Sequence, residues 1–163
     1  MRLKGKTAFI TGGNSGIGLA TAKLFVAEGA RVTITGRDQA KLDAAVAELG
    51  PNGFGVNADA TDVAQLEGAI AQAVKKFGKL DIVFANAGIA GNTPVGGTTL
   101  AAFENVIKTN LTAVFFTVQA AVAHLNNNGS IILNGSVISV LGNPGYSAYA
   151  ATKAGVRAMA RVM

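Results

Sequence analysis

Short apolar runs alternate along this chain with stretches whose apolar residues recur every three or four positions. That switching between strand and helix periods constrains the fold more than any other property of the sequence. Thr7-Ala-Phe-Ile10 reads as a first strand, and Ile17, Ala20, Leu24 and Phe25 mark a helix that stops at Glu28-Gly29. Arg31–Thr35 is a second, β-branched strand. Asp38 begins a helix carrying Leu42, Ala45, Val46 and Leu49, which ends at Gly50-Pro51. Phe54–Ala58 is a third strand, and Thr61-Asp62 caps a helix with Val63, Leu66, Ile70 and Val74 that ends at Phe77-Gly78. Asp81–Ala85 is a fourth strand, followed by a Gly-rich loop from Ile89 to Thr98. One long helix is expected from Thr99 to Leu125, broken by Asn126–Gly129. Ser130–Asn134 is a fifth strand, and a last helix runs on to Met163. Strands alternating with helices form βαβ units, whose right-handed crossovers favour a doubly wound parallel sheet in an α/β fold. No linker or repeat interrupts the pattern, so residues 1–163 read as one domain.

Composition narrows the function. The chain has no cysteine, which removes disulfides, thiol catalysis and zinc–thiolate sites and suits a reducing cytoplasm. Its single histidine, His124, near a helix end, reads as a surface or capping residue and leaves no His-rich metal site. The net charge is +5, yet Lys and Arg are scattered without interleaved aromatics, so neither nucleic acid nor a membrane is an expected partner. No apolar run of membrane-spanning length occurs, and no leader-like segment is expected at the start.

Chemistry is concentrated where strands meet helices. Gly12, Gly16 and Gly18 lie between the first strand and the first helix. A helix N-terminus offers free N–H groups and a positive dipole end to a pyrophosphate, and glycines let the backbone approach it. The spacing is Gly-x3-Gly-x-Gly rather than the commoner Gly-x-Gly-x-x-Gly. At the end of the second strand, Thr35-Gly36-Arg37-Asp38 puts an arginine where a 2′-phosphate would be bound. Gly36 leaves room and offers no carboxylate. This favours NADP(H), with NAD(H) the alternative. In the competing reading Arg37 is solvated and Asp38 is a helix cap or a ribose ligand.

Tyr149 and Lys153 are four residues apart, which on a helix stacks them on one face. A nearby ammonium favours the phenolate, so the pair can exchange a proton near neutrality. A packed ring beside a solvated amine has the same spacing. Asn110 is a polar, weakly helix-forming residue inside an apolar helix and needs partners there. Ser136 follows the fifth strand, and Tyr146 reads as a ring packed near the crevice or a substrate contact.

Together these motifs resemble the short-chain dehydrogenases/reductases of the single-domain type, from Lys6 to Met163. Thr11-Gly12-Gly13-Asn14-Ser15-Gly16-Ile17-Gly18 is similar to that family's cofactor loop. Asp59 matches its adenine-binding acidic residue, and Asn86-Ala87-Gly88 matches the motif after strand four, with Ala85 replacing the usual leading Asn. Asn110, Ser136, Tyr149 and Lys153 match its catalytic set. The resemblance implies a Rossmann-like sheet of order 3-2-1-4-5. It implies reversible hydride transfer between NADP(H) and a small-molecule carbonyl or alcohol. Tyr149 would be the general acid/base, with Lys153 bound to the nicotinamide ribose. Ser136 would hold the substrate oxygen, and Asn110 a relay water through its amide. It further implies a homo-dimer or homo-tetramer through the last two long helices. Family members continue into a sixth strand, a helical substrate segment and a seventh strand, so a domain incomplete beyond Met163, with an open fifth-strand edge, is expected. A non-catalytic dinucleotide-binding module would not need Ser136, Tyr149 and Lys153. A nucleotide-dependent methyltransferase would need the acidic residue that is missing after strand two.

Overall fold

The computed structural model describes residues 1–163. Five strands form one parallel sheet: β1 (Thr7–Ile10), β2 (Arg31–Gly36), β3 (Gly53–Asn57), β4 (Leu80–Ala85) and β5 (Leu125–Leu133), in the order β3-β2-β1-β4-β5. Every residue of β1 is buried, as expected for a central strand covered on both faces. Side chains alternate across it. Ala8 and Ile10 join Val32, Ile34 and Phe84 beneath α1 (Gly16–Ala27) and α2 (Gln39–Leu49), and Phe9 joins Val56 and Val83 on the opposite face. There α3 (Val63–Phe77) and α5 (Ala113–Val122) supply Leu66, Ile70 and Ala121. A smaller cluster of Ala85, Val114 and Val156 seats α6 (Ser147–Met159).

The register aligns the carboxyl ends of the strands: Ile10 lies beside both Ile34 and Phe84, and Ala85 beside Leu133. The chain steps outward from β1 to β3 and then crosses to β4 on the other side of β1. Such a reversal opens a crevice above β1 and β4, the usual place for a ligand on an open α/β sheet. No helix is long and apolar enough to cross a membrane.

Helix ends follow the local chemistry. Asp38 and Asp62 accept the Lys41 and Gln65 amides at 3.1 Å each, capping α2 and α3. These bonds hold both carboxyl groups below the usual aspartate range. At the end of α1, Gly29 takes φ +92 while its amide donates to Val26 and that of Ala30 to Phe25, a Schellman closure.

Five expectations need correction. The buried face of α1 is Gly18 and Ala22, flanked by Leu19, Phe25 and Val26, whereas Ile17 is 65% exposed and Leu24 also faces outward. The single helix expected over Thr99–Leu125 is divided into α4 (Leu100–Ile107), one π turn (Lys108–Thr112) and α5. The fifth strand begins at Leu125, because the expected break at Asn126–Gly129 is taken up within the strand by a register shift and a left-handed Asn128 (φ 65). The last helix closes at Met159, before the final residues. The third strand is displaced by one residue from its expected bounds.

Candidate active site

The loop from β1 to α1 is shaped by its glycines. Gly12 and Gly16 take φ +63 and +52, the left-handed region that costs a side-chain-bearing residue about 1–2 kcal/mol. Gly18 is required by proximity instead: a Cβ there would lie 2.3 Å from the Gly12 carbonyl oxygen and 2.6 Å from Asn86 Nδ2. Ser15 is the N-cap residue of α1 but makes no side-chain cap, and the first bonded amide of the helix is that of Leu19, donating to the Ser15 carbonyl. The helix therefore presents an uncapped, positive end to the crevice. The Asn14 side chain lies over Gly36, where a Cβ would meet Asn14 Cγ at 2.5 Å. Gly36 thus makes room for Asn14, rather than leaving open space for a ligand.

A cleft of about 650 Å³ extends from this loop over the ends of β2, β3 and β4. Ten of the expected cofactor residues line it: Gly12, Asn14, Ser15, Gly16, Ile17, Arg37, Asp59, Asn86, Ala87 and Gly88. Gly18 lies under the loop, and Tyr149 and Lys153 stand outside the cleft lining. At the far end the exposed Arg37 guanidinium is 3.8 Å from Asp59, and Lys41 Nζ is 3.4 Å from Asp38. One Asp59 oxygen also accepts the Thr61 amide at 2.8 Å.

One side of the cleft is built on Asn86. Its Nδ2 donates to the Thr11 and Gly12 carbonyls at 3.0 and 3.2 Å, and its Oδ1 accepts from Asn134 Nδ2 at 3.0 Å. Thr11 Oγ1 accepts the Asn86 and Ala87 amides at 3.0 and 3.1 Å. Asn86 lines the cleft with its side chain committed to holding three strand ends together. Lys153 is 3% exposed, has no carboxylate partner, and donates from Nζ to the Asn134 carbonyl at 2.6 Å. Burial pushes its pKa down from the usual lysine value. The same ammonium lies 5.7 Å from the centre of the half-buried Tyr149 ring. Ser136, two residues past Asn134, opens a short 3₁₀ turn (Val137–Ser139) that packs against α6, and its Oγ accepts the Ile138 amide at 3.3 Å.

Asn110 is fully buried in the π turn. Its Nδ2 donates to the Ile89 carbonyl at 2.6 Å and its Oδ1 accepts the Ile89 amide at 2.8 Å. The amide expected to hold a water is engaged at both ends by the loop after β4. The extra residue of the π turn accompanies that reach. Sequence reasoning missed Thr11, Lys41, Asn134 and Thr93. Thr11 opened the glycine-loop motif and Asn134 closed the fifth expected strand, and those positions at strand ends were the available signal.

The glycine loop with an uncapped helix end, a cation at the far rim and a buried, unpaired ammonium fit a dinucleotide with a polyanionic middle. A family profile described as short chain dehydrogenase matches residues 6–163. An oxidoreductase of Sarocladium schorii is 49% identical, the match covering 98% of this chain and 65% of that protein. An NADP-dependent (R)-specific alcohol dehydrogenase of Lentilactobacillus kefiri is 38% identical, over 98% of this chain and 66% of that protein. The chain therefore spans about two thirds of the length of these curated relatives. Among solved structures, a short-chain dehydrogenase/reductase from Brucella melitensis superposes with a TM-score of 0.96 at 32% identity, covering 99% of this chain and 69% of that one. A match that runs from residue 6 to residue 163, supported by relatives alike in both sequence and fold, makes the chain a member of the short-chain dehydrogenase family.

Proposed function

We propose that this chain carries the cofactor-binding and proton-transfer part of an oxidoreductase acting between NADP(H) and a small-molecule carbonyl/alcohol pair. The observation that carries this reading is Lys153: a buried ammonium with no carboxylate, held by one carbonyl beside the Tyr149 ring. A buried cation is costly unless it is paired and hydrogen-bonded, and the Lys153 ammonium has a single carbonyl acceptor, which leaves it able to bind a ligand. The glycine loop, Asp59, Arg37 and Lys153 would hold the cofactor, which supplies the hydride when bound. Tyr149 gives its hydroxyl proton to the carbonyl oxygen during reduction and takes one from the alcohol during oxidation. Lys153 stabilises the phenolate left behind. Ser136 donates to the same substrate oxygen as charge develops there. Asn110 positions the Ala87–Ile89 wall through its two bonds to Ile89.

Two features support NADP(H) over NAD(H). Asp38, the first carboxylate after β2, has one oxygen engaged in capping α2, the cap that the competing reading expected, and the exposed Arg37 guanidinium lines the cleft 3.8 Å from Asp59, where it can still meet a phosphate. The Lentilactobacillus kefiri relative is itself described as NADP-dependent. Relatives described as a hydroxynaphthalene reductase and a 3-oxoacyl-[acyl-carrier-protein] reductase stand beside others described as alcohol and diol dehydrogenases, which fits a reversible carbonyl/alcohol exchange. Leu100, Phe103, Phe115 and Val122 leave an apolar surface along α4 and α5, which supports a homo-dimer or homo-tetramer. A cytoplasmic location suits the lack of cysteine.

The test is Tyr149→Phe in the active protein, which is expected to lose turnover while NADPH still binds. Near-normal turnover would remove Tyr149 from its role. Arg37→Ala is expected to lower the NADPH-to-NADH ratio of kcat/KM by about tenfold or more, the loss of a charge-assisted pair. An unchanged ratio, or a parent preference for NADH, would return the cofactor to NAD(H).

A further inference from the structure

α6 carries Tyr149 and Lys153 but does not cap itself. Its N-cap residue, Tyr146, provides no side-chain acceptor, and Ser147 turns away from the helix to donate from Oγ to the Thr93 carbonyl at 2.7 Å. The missing acceptor comes from another loop. Thr93 is 1% exposed, and its Oγ1 accepts the Ala148 amide at 3.0 Å, one residue before Tyr149. Its own amide donates to the Gly145 carbonyl at 2.6 Å, and it forms an isolated parallel bridge with Tyr146. Its hydroxyl also lies 3.5 Å from Ser147 Oγ. One residue of the Ile89–Thr98 loop thus holds the start of α6 through backbone and side chain together. The same loop begins at Ile89, which Asn110 fixes and which lines the cleft.

We propose that Thr93 is a positioning residue that sets Tyr149 and Lys153 relative to the cofactor cleft by capping α6 from the loop after β4. This rests on the reading of Tyr149 as the acid/base group. A short loop pinned at Ile89 and again at Thr93 transmits the position of the cleft wall to the first turn of α6. Small misplacements of a reacting group are expensive, with about 1 Å costing as much as 10²-fold in rate.

The test compares Thr93→Val with Thr93→Ser. Valine keeps the shape and both backbone bonds but removes the acceptor, and serine restores it. Three quantities are measured: amide exchange across residues 147–153, NADPH affinity and stoichiometry by fluorescence, and kcat with KM. The valine variant is expected to exchange at least tenfold faster in the first turn of α6 and to lose about tenfold in kcat. It should keep NADPH affinity within about twofold at full stoichiometry, and the serine variant should match the parent throughout. Parent-like exchange and kcat in Thr93→Val would overturn the proposal. So would a fall in kcat matched by a fall in NADPH stoichiometry, since that reports only loss of folded protein. Should the valine variant not fold, Thr93→Ala, which removes the same acceptor with less bulk, takes its place with the same expected signature, and parent-like values there overturn the proposal. If Tyr149→Phe retains turnover, the acid/base reading fails by itself, while the exchange measurement still decides whether Thr93 holds α6.

Discussion

Gly18→Ala tests the closest approach that any glycine makes to the backbone of another residue. The new methyl would stand 2.3 Å from the Gly12 carbonyl oxygen, where a carbon needs about 3.3 Å. The start of α1 must therefore move by about 1 Å, because the obstacle is backbone and no rotamer relieves it. Ala22, fully buried one turn later, opposes that movement. The overpacking costs about 1–3 kcal/mol. The methyl also meets Asn86 Nδ2 at 2.6 Å, so the two bonds that this amide donates to Thr11 and Gly12 are put at risk, each worth about 0.5–1.5 kcal/mol. Against this stands a helix-propensity gain of up to about 1 kcal/mol. The expected net loss is about 3 kcal/mol. Gly68, in the exposed middle of α3 with nothing within 4 Å of its would-be Cβ, is the internal contrast. Gly68→Ala should gain about 0.5–1 kcal/mol from the same chemical change. Urea unfolding of both variants and the parent, with common m-values, reads the difference. A Gly18→Ala protein within about 0.5 kcal/mol of the parent would refute the packing argument.

Other outcomes follow from single contacts. Thr33 Oγ1 is buried in β2 with no hydrogen-bond partner, so Thr33→Val should raise stability by about 1 kcal/mol, and a lower melting temperature would contradict this. Asp81 sits at the start of β4. Burial pushes its pKa up, but the Thr7 amide at 2.9 Å and the Lys6 ammonium at 3.0 Å outweigh it and leave the folded value below the ordinary one. Its stabilisation is complete above the unfolded value of about 3.9 and is lost as pH falls through the folded value, so Asp81→Asn should flatten the acid limb of stability against pH. An unchanged acid limb would remove Asp81 from that role.

Much of the fold was legible because parallel strands buried on both faces read as apolar runs, and β1 and β4 could hardly be anything else. The buried face of α1 was misread for a related reason. Counting apolar residues rewards Ile17 and Leu24, while the residue that touches the sheet loop is Gly18, which has no side chain to count. The π turn was invisible because one inserted residue barely disturbs a helical apolar pattern, although Asn110 within it was already conspicuous. Thr93 could not be found at all. A threonine in a Gly-rich loop carries no signal until the helix it caps, more than fifty residues later, is seen to lack a cap of its own.

Three hydrogen bonds join the glycine loop to the buried lysine: Asn86 to the Gly12 carbonyl, Asn134 to Asn86, and Lys153 to the Asn134 carbonyl. They cross from β1 to β4 to β5 and on to α6, so they form a ruler laid across the sheet. Its length is fixed when the chain folds, before any ligand arrives. On the proposed reading one end marks the pyrophosphate and the other the ribose of the reacting ring. A ligand would then be gauged end to end by a rigid span, and only one of matching length would bring its reactive carbon beside Tyr149. The entropy of setting that span belongs to folding and is not charged again at each turnover.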